Sequence, residues 1–216
     1  MILAAVRRME EISPEEWTEI HARMEADTAD RLSAALSRRK GLLLAAGRDL
    51  AKRLAASGSG LRAEDVRLGH EPSGRPYLVI REAEGFRRSA LSVTLSHSDP
   101  WLLAAVSGEG VACDIQTVRH FPPEALGGFF TGEDLQYIRS AADPDDTLCM
   151  LWCRRECIIK LLGREAYDRQ VPLNDTEALR GQYGVGFHEE ARSGARLALA
   201  WAEQSGKPHP IDWRTI

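Results

Sequence analysis

The chain has 216 residues, enough for a sizeable core in one domain or in two small ones closely joined. With 44 % hydrophobic and 28 % charged residues it reads as soluble and globular, and no run approaches the ~18 apolar residues of a membrane span. The net charge of −4 is too mild to argue for or against a nucleic-acid partner, so local patches must carry any such case.

Of the 28 basic residues 24 are arginine, so Lys40, Lys52, Lys160 and Lys207 stand out. The opening MILAAVRRMEE places its short apolar run before its arginines, the reverse of a secretory signal, and a cytoplasmic location is expected. Cys149, Cys153 and Cys157 recur every fourth residue, which stacks them along one helix side instead of converging them on a metal. Small core-facing thiols, kept reduced, are expected.

Ser13 to Glu16 has the form of a capping box with Pro14 at the first helical position, and predicts a helix over 14–26. A second helix is expected to begin near Thr28 and run to the SGSG at 57–60, with Leu32, Ala35, Leu36, Leu43, Ala46, Leu50 and Leu54 on its apolar side. Arg31, Arg38, Arg39 and Lys40 fall off that side. EPSGRPYLVI (71–80) reads as a turn and a strand, EAEGFRR as a charged loop, and LSVTLSHSD as a strand ending at Ser96 and His97. LLAAVS, the SGEG turn and VACDIQTV predict an antiparallel hairpin. On its second strand Val111, Cys113 and Ile115 share one face, and Ala112, Asp114 and Gln116 the other.

FTGEDL has a capping box, Thr131 with Asp134, and Phe130 can meet Leu135. DPDD announces a further helix over about 145–162, with Asp143 as cap, Pro144 first and Gly163 as its end. An advance of ~100° per residue puts Leu151, Ile158, Ile159 and Leu162 in one apolar arc, with Trp152, Glu156 and Lys160 aligned beside it. The tail predicts a last hairpin, YGVGFHEE and ARLALAWAE around RSG. No Pro/Gly linker or internal repeat divides the chain. The division expected is an N-terminal α/β half over 1–105 and a C-terminal α/β half over 106–216.

A carboxylate at the centre of an apolar strand and another at the edge of a helical core are both costly unless something positive or hydrogen-bonding meets them. The economical solution joins Asp114 and Glu156 across a divalent cation, with Gln116 as a third oxygen donor. Such a set suits Mg²⁺, which usually shares its oxygens with a substrate phosphate. A phosphate needs cations, which Lys160, His97, Ser96 and Arg75 can supply along with hydrogen bonds. Against this stand blander readings: Asp114 satisfied by backbone amides, and Glu156 with Lys160 as an exposed i,i+4 salt bridge of ~0.3–0.5 kcal/mol.

These residues resemble the Sfp-type 4'-phosphopantetheinyl transferases, whose marks are a G-[IV]-D-[IVL]-E strand, a W-[ST]-x-K-E-[AS]-x-x-K-x-x-G helix, a G-[KR]-P turn and an S-H-S strand end. Here stand GVACDIQ (110–116), WCRRECIIKLLG (152–163), GRP (74–76) and SHS (96–98), in the same order. The resemblance spans about residues 30 to 165. It implies an α/β (α+β) fold of two similar halves packed as a pseudo-dimer, with coenzyme A and Mg²⁺ between them. It implies transfer of phosphopantetheine from coenzyme A to a serine of an acyl or peptidyl carrier protein. Asp114, Glu156 and Gln116 would hold the metal, Glu156 would help deprotonate the serine, and Lys160 would stabilise the transferring phosphate. Arg75, Ser96 and His97 would grip the coenzyme A phosphates, and Arg31, Arg38 and Arg39 are candidates for its 3'-phosphate.

The chain departs from the pattern at Gln116, where the family has a carboxylate, at Arg155 for the common lysine, at Cys153 for Ser or Thr, and at REAYDRQ after Gly163. A monomer is expected, with no membrane contact. A non-catalytic coenzyme A or carrier-protein binding module is the alternative function. A nucleic acid is not expected, since the arginines are dispersed among acids. Asp114→Ala and Glu156→Ala are each expected to abolish transfer and leave the fold intact.

Overall fold

Residues 1–24, 37–122, 128–166, 171–203 and 209–216 are described by a computed structural model, as ten strands and five α-helices that form two units. The mixed α+β class expected from the sequence holds in both. No described helix is long and apolar enough to cross a membrane.

The first unit comprises Met1–Val111 and Pro210–Ile216. Its larger sheet has the order β10-β1-β6-β5, formed by β1 (Ile2–Arg8), β5 (Ser92–Ser98), β6 (Trp101–Ser107) and β10 (Ile211–Trp213). The opening apolar run is therefore an interior strand, with Ile2 to Ala5 all buried, which explains why it lacks alternation. α1 (Pro14–Ala22) starts as expected, with the Ser13 side chain accepting from the Glu16 N–H. The described long helix α2 (Arg38–Ser59) begins at Arg38, where Ser37 is extended (φ −155°, ψ 154°) and caps it by accepting from the Lys40 N–H; the helix start expected near Thr28 lies outside the described residues. Thr28, Arg31, Leu32, Ala35 and Leu36 lie outside the described residues. Leu43, Ala46, Leu50 and Leu54 form the apolar side of α2 as expected, packed in one core with Leu102, Ala104 and Val106 of β6.

The smaller sheet has the order β2-β3-β4, from β2 (Val66–His70), β3 (Pro76–Glu82) and β4 (Gly85–Arg88). The segment expected as a charged loop thus supplies a strand, turned back on β3 at Gly85, whose φ of +125° only glycine adopts readily.

The second unit is Ala112–His209. Its sheet, β7-β9-β8, is built from β7 (Val111–Thr117), β8 (Val185–Arg192) and β9 (Ala195–Ala202). The hairpin expected between β6 and β7 does not form. A strand has two ladder edges, and β6 gives both to β1 and β5, leaving β7 to pair with β9. The tail hairpin does form, turning at Gly194 (φ +71°). α3 (Gly132–Ser140) carries the Thr131–Asp134 capping box, and the fully buried Asp134 also accepts from the Leu173 and Asn174 N–H groups at 2.7 and 3.1 Å. α5 (Thr176–Tyr183), absent from the sequence reading, is capped by Asp175, which accepts from the Ala178 N–H.

α4 (Pro144–Leu162) starts at the Asp143 cap and ends at Gly163. Its buried arc differs from the expected one: Leu162 is 38 % exposed and Ile159 half-buried. Leu148, Leu151 and Ile158 face one core, and Cys153, Cys157 and Leu161 face another with Ala112, Ala198 and Ala200. The reason is the size of the thiols. They let β9 approach closely enough for Cys153 and Cys157 to donate to the Arg196 and Ala198 carbonyls at 3.4 Å, while Cys149 reaches Thr117 O at 3.7 Å. All four cysteines are free and fully buried, and burial pushes the Cys149, Cys153 and Cys157 thiols up.

Two consequences are measurable. In native protein an aromatic disulfide reagent should titrate none of the four thiols, and all of them in denaturant; fast native labelling would contradict the packing of α4 on β9. Gly186 lies opposite Trp201, and a Cβ there would meet the indole at 2.6 Å. Gly186→Val should therefore lower the unfolding free energy by ~1–3 kcal/mol in urea titration.

Candidate active site

The site residues of the second unit come from β7 and α4. Ala112 of β7 packs against Cys153 and Cys157 of α4, which turns the Ala112–Asp114–Gln116 face of the strand toward the helix. Asp114 is 5 % exposed, so its carboxylate needs a partner. That partner is the Lys160 ammonium, which donates to Asp114 Oδ1 at 2.6 Å and to the Cys113 carbonyl at 2.9 Å. Burial alone would lower the Lys160 pKa, but the Asp114 charge and hydrogen bond outweigh it and raise the ammonium above the ordinary lysine range. Lys160 stands in the last turn of α4, where the helix dipole also favours a cation.

Glu156, one turn earlier and half-buried, does not pair with Lys160. Its Oε1 accepts from Arg155 Nη1 at 2.6 Å, and Oε2 has no hydrogen-bond partner among the described residues. The exposed i,i+4 salt bridge weighed above is thus absent: each end of that spacing is bound elsewhere. Arg155 is itself buried, with its guanidinium carbon 4.9 Å from the Phe129 ring centre and 5.2 Å from that of Trp152. Those two rings meet edge to face at 5.4 Å. In the sequence Arg155 stands out only as a departure from the family pattern; its i,i+3 spacing from Trp152 is the available signal.

Whether the residues suit a divalent cation follows from their donors. Asp114, Glu156 and Gln116 can each present an oxygen donor, as Mg²⁺ prefers, and Glu156 Oε2 has no hydrogen-bond partner among the described residues. The Lys160 ammonium already holds one Asp114 oxygen, so a metal would share that carboxylate with it. Gln116 sits two residues beyond Asp114 on the same strand face, half-buried. Among the described residues no group of three or more His, Cys, Asp and Glu side chains is placed to hold a metal. By donor chemistry alone the set, two carboxylates and an amide, suits a divalent cation.

The pair also bears on the expectation that alanine at Asp114 leaves the fold intact. Removing that carboxylate strands an ammonium whose side chain is only 30 % exposed. Asn is the cleaner probe, because it keeps the shape and an oxygen acceptor.

The remaining expected residues lie in the first unit. Arg75 is exposed at the turn before β3, where Gly74 has φ +87°. Ser96 is buried and His97 exposed, as alternation along β5 requires. Arg38 and Arg39 open α2, exposed, and Arg39 forms ion pairs with Asp99 and Glu10. Arg31 lies outside the described residues.

No curated protein matches the chain by sequence. A solved structure that is similar in part is the Helicobacter pylori holo-[acyl-carrier-protein] synthase in complex with coenzyme A, at 13 % identity over 49 % of this chain and 97 % of that one, with a TM-score of 0.36. Residues 110–210 match the model of the 4'-phosphopantetheinyl transferase superfamily. That segment, just under half of the chain, carries β7, α4, the Asp114–Lys160 pair and Glu156, and over it the chain is similar to the 4'-phosphopantetheinyl transferase superfamily.

Proposed function

We propose that the chain is an Sfp-type, Mg²⁺-dependent transferase that moves phosphopantetheine from coenzyme A to a serine of an acyl or peptidyl carrier protein, acting as a cytoplasmic monomer. The observation that carries this reading is the buried contact between Asp114 and Lys160, joined at 2.6 Å with Glu156 one helical turn away. Two acids and a cation on rigid elements suit a diphosphate substrate.

In this reading the serine hydroxyl attacks the phosphorus that bears the pantetheine arm, and the bond from that phosphorus to the bridging oxygen breaks. Adenosine 3',5'-bisphosphate leaves with the bond's electrons. Glu156 accepts the serine proton. Lys160 donates to a phosphate oxygen as charge develops, and Asp114 holds its ammonium in place. Asp114, Gln116 and Glu156 would hold Mg²⁺, whose two charges neutralise the diphosphate. Arg75, Ser96 and His97, with Arg38 and Arg39, are assigned to the coenzyme A phosphates.

The deciding experiment incubates the protein with coenzyme A, Mg²⁺ and an apo carrier protein, and weighs the carrier by mass spectrometry. A phosphopantetheine adduct supports the transferase; binding of coenzyme A with no adduct supports the binding-module alternative. Asp114→Asn and Glu156→Gln should each lower transfer by about 10²-fold or more, while Gln116→Glu should keep or raise it. Asp114→Ala should in addition cost ~1–3 kcal/mol of stability for the stranded ammonium.

The pH dependence has a defined sign. Folding raises the Lys160 pKa, so the pair's stabilisation is complete below the ordinary lysine value of about 10.4 and is lost as pH rises through the higher folded value. A titration of unfolding free energy from pH 7 to about pH 10 should thus show no loss that Lys160→Met abolishes.

A further inference from the structure

Arg155 occupies a position that packing alone does not explain. A guanidinium buried to 7 % exposure is expensive to desolvate, and an apolar side chain of similar volume would fill the same space beside the two rings at lower cost. Two features of this guanidinium are nonetheless used together. Its central carbon lies 4.9 and 5.2 Å from the ring centres of Phe129 and Trp152, against the side of the edge-to-face pair that these rings form. Its Nη1 is aimed at Glu156 Oε1, 2.6 Å away.

Resting on the function proposed above, we infer that Arg155 is a positioning residue: clamped against the paired rings of Phe129 and Trp152, it holds the Glu156 side chain in one orientation, leaving Oε2 for the reaction. Glu156 follows Arg155 directly on α4, so without the clamp its three side-chain torsions are restrained by little else; Arg155 is its hydrogen-bond partner among the described residues. Only a planar, delocalised cation can stack on aromatic faces and donate in its own plane at once. A lysine, the residue the family pattern carries here, keeps the charge but has a tetrahedral head that stacks poorly. The arginine and the ring of Phe129 therefore belong to one device.

The test compares wild type with Arg155→Lys, which keeps the charge, Arg155→Met, which keeps apolar volume, and Phe129→Leu, which removes one of the two rings. Transfer kinetics are read alongside Mn²⁺ binding to the protein, measured from the free Mn²⁺ signal by electron paramagnetic resonance. Arg155→Lys should lower kcat about tenfold with KM for coenzyme A within about twofold, and weaken Mn²⁺ binding several-fold. Phe129→Leu should fall between it and wild type. If Arg155→Lys keeps wild-type kcat and Mn²⁺ affinity, charge alone suffices and the clamp is overturned. If Arg155→Met keeps both and shifts only the melting temperature, the residue is packing and the inference fails. Absence of transfer by wild type itself would overturn the function proposed above, and the Mn²⁺ comparison would still decide on Arg155; wild type that binds no Mn²⁺ would overturn the clamp as well.

Discussion

The contact between the Lys160 ammonium and the Asp114 carboxylate is the constraint around which the second unit is arranged. A carboxylate at the centre of a buried strand is affordable only when a positive charge reaches it, and the sole lysine on α4 does so from the last turn. The helix must therefore lie across β7 at one depth and one rotation, since a shift of a single residue would swing Lys160 by ~100°. That requirement couples the strand that bears Asp114 to the helix that bears Glu156, and any chemistry at the site inherits its geometry from a charge pair.

The small residues on both elements make the approach possible. Ala112 on β7, Ala198 and Ala200 on β9, and the thiols of Cys153 and Cys157 on α4 form one contiguous layer. Each thiol fills about the volume of an alanine plus one atom and turns its weak donor toward a strand carbonyl, so no polar atom is stranded. Their raised pKa values, caused by burial, go with a packing role and not with nucleophilic chemistry. A similar economy operates around Asp134, a fully buried carboxylate that closes the N-terminus of α3 and anchors the backbone at Leu173 and Asn174. Anchoring there secures the chain that follows α4. Arg154 acts on the same stretch: it donates to the Leu173 carbonyl at 2.6 Å and to the Glu189 carboxylate of β8.

Positive charge on α4 is divided among three roles. Arg154 ties the helix to β8, Arg155 faces the rings and Glu156, and Lys160 faces β7. The helical advance of ~100° per residue separates neighbouring side chains enough for this, although they are adjacent in sequence. Glu156 is thereby served by its immediate neighbour and not by the lysine one turn on, against the usual preference for i,i+4 partners. The reason is that Lys160 has a stronger claim elsewhere: Asp114 is more deeply buried than Glu156, and an unpaired charge costs more the deeper it lies.

Sequence alone determined what depends on near neighbours. Ser13, Thr131 and Asp143 marked helix starts and Gly163 a helix end, because caps are satisfied within a few residues. Alternation put Asp114 and Gln116 on one face of β7, and spacing by four aligned Glu156 with Lys160. The need of Asp114 for a partner was equally legible. Only the tertiary structure decided which strand pairs with which, since β6 and β7 look like a hairpin until β1 and β5 take both edges of β6. It also decided who answers Asp114, and that Arg155 is buried against a pair of rings. Strand pairing and charge pairing are settled by competition among groups distant in sequence, and the winner depends on depth of burial, which no local pattern records.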